Sequence, residues 1–99
     1  MSEAEGKKRK VEIKIKLDEE VASGVYVNMA MVNHTDAEFT IDLIHLQPQA
    51  PVATVRSRVI TTPKHVRRLI KVLQDSLEKY ERVHGEVEMP PAPPGDFRH

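Results

Sequence analysis

An α+β fold, a four-stranded antiparallel β-meander packed on one C-terminal amphipathic helix with disordered tails, is what this sequence predicts. Apolar residues alternate at period two from Val11 to Leu17, and turn-bounded apolar runs follow at 25–32, 39–46 and 52–60. After Pro63 the period changes to three and four and holds for more than four turns. The 99 residues allow one domain, divided as a basic arm at 1–10, an α+β domain at 11–85 and a Pro-rich tail at 86–99. A chain of this size buries only about 60% of its unfolded surface, so a staple, a ligand or a partner subunit is expected to supplement its core.

Residues 1–9 are polar and charged without periodicity, and Lys7, Lys8, Arg9 and Lys10 make the arm basic. Val11, Ile13, Ile15 and Leu17 then alternate with Glu12, Lys14 and Lys16, the pattern of a strand with one wet face. The lysines suit a sheet edge, where charge discourages pairing with stray chains. Gly24 opens a second strand, Val25 to Val32, apolar on both parities and so expected to be buried on two sides. Asn33, His34, Thr35 and Asp36 form a turn, because Asn and Asp bond their own backbone and tolerate tight dihedrals. Phe39 to Leu46 is the third strand, again apolar on both parities.

Pro48 and Pro51 keep residues 47–51 out of a ladder, and Val52 to Ile60 is the fourth strand. Short connections make consecutive antiparallel pairing the default. Thr62 and Pro63 are a helix start: the threonine caps free amides, and the proline has no N–H to leave unpaired. Val66, Leu69, Ile70, Leu73, Leu77 and Tyr80 form the apolar stripe, and Gly85 ends the helix. At about 1.5–3 kcal/mol per fully buried large side chain, the stripe represents roughly 10 kcal/mol of gross burial. It is expected to lie on the sheet. One helix covers one face, so the other face is expected to need a partner. Pro90, Pro91, Pro93 and Pro94 prevent a helix or ladder in the tail.

Composition narrows the function classes. The chain has no cysteine, which removes disulfides, thiolate zinc sites and cysteine nucleophiles together. Fifteen Lys+Arg balance fifteen Asp+Glu, so the whole chain has no net pull toward nucleic acid or anionic lipid. No apolar stretch follows the basic arm and none reaches membrane-spanning length, so a cytoplasmic protein without membrane contact is expected.

The run Glu20-Val21-Ala22-Ser23-Gly24-Val25-Tyr26-Val27-Asn28, then His34 with Glu38-Phe39 and Asp42, then Thr62-Pro63-Lys64-His65, resembles a family of short bacterial and archaeal proteins of unknown function. The resemblance extends from about Val11 to Glu81 and implies no activity, since the family has none assigned. The meander-then-helix order is also similar to the opening half of SecB-type export chaperones, at the level of fold alone.

Candidate chemistry is sparse. His34, His45, His65 and His84 fall in a turn, a strand and the two ends of the helix, without the spacing of metal ligands; no metal or other cofactor is expected. Asp42 with Glu38 is the one carboxylate pair to weigh for acid–base work. Neither a placed nucleophile nor a Gly-rich phosphate loop accompanies it, and no catalytic residue is assigned. Asn28 in an apolar strand must be hydrogen-bonded, to a neighbouring strand or loop or else to a ligand.

Two surfaces remain. Val25, Val27, Met29 and Met31 form an apolar sheet face, with methionines that serve either as core filler or as an adaptable contact surface. Lys64, Arg67, Arg68 and Lys71 crowd the helix start, where the dipole is already positive, and Arg56 and Arg58 precede them. The expected function is a non-enzymatic, homo-oligomeric interaction, scaffold or chaperone-like module that holds a second copy or a protein partner through the apolar face. The alternative is nucleic-acid or polyanion binding through the six helix-start and strand cations with the N-terminal arm.

Overall fold

A computed structural model of the chain describes residues 10–93 and 95. Its elements are α1 (Glu19–Ala22), β1 (Met29–His34), β2 (Phe39–Gln47), β3 (Val52–Thr61) and α2 (Pro63–His84). The strands form one antiparallel meander in the order β1-β2-β3. The expected arm lies outside the described residues except for Lys10, and the expected tail is described only as far as Pro93 and at Gly95.

Each turn has a local cause. Thr35 closes the β1–β2 hairpin: its hydroxyl accepts the N–H groups of Ala37 and Glu38, and its own N–H donates to the Glu38 carbonyl at 2.9 Å. The β2–β3 hairpin turns through the segment containing Pro48 and Pro51. Its register sets Asp42 opposite Arg58 and Leu43 opposite Ser57, then Ile44 opposite Val55, so Arg56 is the extra residue of a β-bulge. Thr62 is extended and its Oγ1 accepts the His65 amide at 3.1 Å, Pro63 occupies the first helical turn, and Gly85 closes the helix with φ 96°.

Pairing sorts the sheet into two faces. Met29, Met31, Asp42, Ile44, Val55 and Arg58 share one; Ala30, Val32, Phe39, Ile41, Leu43, Ser57 and Val59 share the other. Burial is concentrated on the first, where Ile44 is 3% exposed and Asp42 1%. The rest of the described chain closes little. Its radius of gyration is 18.6 Å, against about 13 Å for a compact domain of this length.

Three expectations are corrected here. The sheet has three strands, because Val11 to Leu17 has no ladder partner and its four apolar side chains are 68–90% exposed. The strand expected at 25–32 begins only at Met29. Ahead of it, the Asn28 backbone N–H still donates to the Ile44 carbonyl, but the Asn28 side chain takes both backbone groups of Leu46, at 2.8 and 3.1 Å. A side-chain amide thus replaces the backbone where the ladder would continue.

The third correction concerns the helix. It starts where His34, Phe39 and Thr61 stand in register, and 22 residues carry it about 33 Å. Residues Met89 to Pro93 then share a groove with Asn28, Met29, Ala30 and Leu46, at the opposite end of the sheet. So α2 runs back along the sheet, yet it makes no more than marginal contact with any strand. Ile70, Leu73, Leu77 and Tyr80 stay 47–61% exposed. Periodicity states that a stripe must be buried; it does not state against which chain. For the same reason β1 and β2 are not buried on two sides: Val32, on the less covered face, stands exposed.

Candidate interaction surface

The bare apolar surface among the described residues has two main pieces, both made by elements that pack little on the other described residues. The first is α2, where of the apolar residues only Val66 and Leu69 in the opening turns are half-buried and the stripe beyond them faces solvent. The second is the alternating segment 11–17, extended and unpaired beside the single turn of α1. Glu20, Val21, Gly24 and Val25 line a groove with Arg56 and Ser57, which brings the root of that segment next to β3.

Of the apolar face expected from the sequence, Met29 and Met31 share the face of Ile44 and Asp42 and are half-buried, as is Val27. Val25 is exposed and lies outside the ladder. The four do not form the barest apolar surface among the described residues: the side chains of Val11, Ile13, Ile15 and Leu17 are barer, and so is the longer stripe on α2, whose residues were expected in the core.

The six cations expected to act together fall into two groups. Arg58 forks onto Asp42, Nε to Oδ1 at 2.7 Å and Nη2 to Oδ2 at 2.9 Å. This fork satisfies a carboxylate that burial would otherwise penalise heavily. The Asp42 hydrogen bond, then its charge, holds the Arg58 guanidinium above its ordinary pKa. Lys71 pairs with Asp75 at 2.9 Å one turn along the helix and is likewise raised, first by that hydrogen bond and then by the Asp75 charge. Lys64, Arg67, Arg68 and Arg56 make no ion pair among the described residues. The first turn of α2 contains no acidic residue to offset its cations.

Asp42 is therefore the partner of Arg58, and Glu38 stands apart from it in the exposed β1–β2 turn. Sequence reading placed Asp42 in a carboxylate pair and Arg58 in an anion site. The signal for their pairing was present: a hairpin folded about the 48–51 turn sets position 42 against position 58. The histidines stay separate. His34 stacks on Phe39, His45 meets Tyr26 edge-on at 5.5 Å, and His84 lies against Tyr80 at 4.6 Å. Among the described residues no group of three or more His, Asp or Glu is arranged to hold a metal ion. No helix among them is long and apolar enough to cross a membrane.

Fold and surface together define a small α+β module whose sheet is tied internally and whose helix and N-terminal segment expose their apolar faces. The family described as "Protein of unknown function (DUF3467)" matches residues 1–89, and the chain belongs to it. The match bears out the resemblance read from the Gly24-Val25-Tyr26-Val27-Asn28 and Thr62-Pro63-Lys64-His65 pieces. Comparison with curated proteins and with solved structures returns no match, so the SecB likeness gains no support.

Proposed function

We propose that this protein is a non-enzymatic, self-associating interaction module whose folded unit is more than one copy of the chain. One observation carries the reading: the helix stripe, the largest apolar feature of the sequence, is bare in the single chain. The surface area points the same way. The chain exposes 9286 Å², where a compact monomer of 11.3 kDa exposes about 5,700 Å². Granting the residues outside the described set the full surface of an unfolded chain still leaves an excess of about 1,900 Å². A standard interface takes about 800 Å² from each partner, so the excess exceeds what a stable dimer requires. The apolar part of that excess is unfavourable on a free monomer by roughly 25 cal/mol per Å².

Light scattering across micromolar concentrations tests the proposal. A dimer or larger species with little salt dependence is expected, and a monomeric mass throughout would overturn it.

A second reading has its own observation. Lys64, Arg67 and Arg68 stand at a helix start with no acidic group in the first turn. Such a site suits a polyanion, and binding there would fall steeply with salt. Retention on heparin that is lost in Arg67→Glu/Arg68→Glu supports it, and absence of salt-sensitive retention in the wild type removes it.

A further inference from the structure

The bare stripe has a finer spacing than an amphipathic helix needs. Val66, Ile70, Leu73, Leu77 and Tyr80 follow one another at four, three, four and three residues, a mean of 3.5. That is the seam of a two-stranded coiled coil rather than the broader face that packs on a sheet. The last four of these residues are the exposed ones. We infer that two copies of the chain associate by pairing α2 antiparallel to α2 about a two-fold axis near Gln74. This rests on the self-association proposed above and gives it a surface and an orientation.

Charge selects the orientation. The positions flanking the seam are Arg67, Gln74 and Glu81 on one side and Leu69, Ser76 and Val83 on the other. In an antiparallel pair, Leu73 packs on Leu77 of the second copy and Ile70 on Tyr80 of the second copy. On one flank Arg67 then faces Glu81 of the second copy, twice by symmetry, with Gln74 meeting Gln74 of the second copy at the axis. On the other flank Leu69 faces Val83 of the second copy and extends the apolar strip. A parallel pair sets each position beside its own counterpart, so the starts carrying Lys64, Arg67, Arg68 and Lys71 lie together and repel.

Antiparallel pairing thereby gives Arg67, which has no ion pair among the described residues, an acidic neighbour that its own helix cannot supply. Fourteen residues separate Arg67 from Glu81, about 21 Å along one helix, which no side chain spans. Glu81 already accepts the Val87 amide at 2.8 Å through Oε2, and a carboxylate has acceptor capacity for a guanidinium besides. Lys64, Arg68, Lys71, Asp75, Glu78, Lys79 and Arg82 occupy the outer positions, away from the seam.

The 21 Å separation makes a charge swap diagnostic. Sedimentation equilibrium of the full chain measures the dimer dissociation constant for wild type, Arg67→Glu, and Arg67→Glu combined with Glu81→Arg, with circular dichroism to confirm that each folds. The single variant sets two glutamates against two glutamates and is expected to weaken the dimer about tenfold. The double variant is expected to recover most of that loss. A wild-type dimer that Arg67→Glu leaves unchanged, or that the second substitution fails to restore, overturns the helix pairing while self-association stands. A wild type that stays monomeric overturns both.

Discussion

The sheet and the helix have opposite relations to their own chain. The sheet ties itself together: register sets Arg58 across from Asp42, Asn28 clamps Leu46, and Ile44 is covered. The helix has as strong a sequence signal and a complete set of caps, and it leaves its apolar side bare. Hydrogen bonds can be closed locally by a hairpin, whereas an apolar stripe that runs from Val66 to Tyr80 needs a second long surface. In this chain the sheet is closed by its own residues, and on the proposed reading the helix is stabilised by association.

The sharpest way to break this contrast is Leu73→Asp. The substitution puts a carboxylate at the middle of the seam, and dimer affinity is expected to fall by about a hundredfold or more while the hairpins keep their strand signal. Unchanged mass in the ultracentrifuge would show that the stripe is not the contact. Next in size is Arg58→Ala, which deprives a 1% exposed carboxylate of its guanidinium. A melting temperature lower by more than about 10 °C is expected, from the sheet rather than from association. Asp42→Asn with Arg58→Met should lose much less, since neither member is then a buried unpaired charge.

Asn28→Ala removes two hydrogen bonds to Leu46 and is expected to lower the melting temperature by about 5 °C without changing mass. The smallest effect is at Lys71. Its raised pKa means that the contribution of the Asp75 pair is fully present below the ordinary lysine value and is lost as pH rises through the folded one. Lys71→Ala should therefore shift the melting temperature by about 2 °C or less at neutral pH, and by nothing in strong alkali; a thermal melt at each pH reads both.

How much of this was legible depended on whether the information was local. Thr62, Pro63 and Gly85 fixed α2 to the residue, because caps are set within a turn. The strands at 39–46 and 52–60 emerged within one residue, since prolines and a threonine turn bound them. The alternation at 11–17 is a requirement for a partner strand that the single chain does not meet. The helix is similar: its periodicity is clear in the sequence, but periodicity does not say which surface covers the stripe, and the nearest sheet does not. Asp42 and Arg58 were each noticed, but their bond depends on hairpin register, which residue-by-residue reading did not assemble.

The scarcity of interior has a consequence for the living cell. Ile44 is the buried hydrophobic residue among those described, so the described chain alone gives its helix little to rest on. Under the proposed self-association, mass action couples folding to abundance, and the melting temperature is expected to climb with the logarithm of concentration. On that reading, newly made chains that find no second copy would remain open to chaperones and proteases, and the cellular level of the protein would set its own lower threshold.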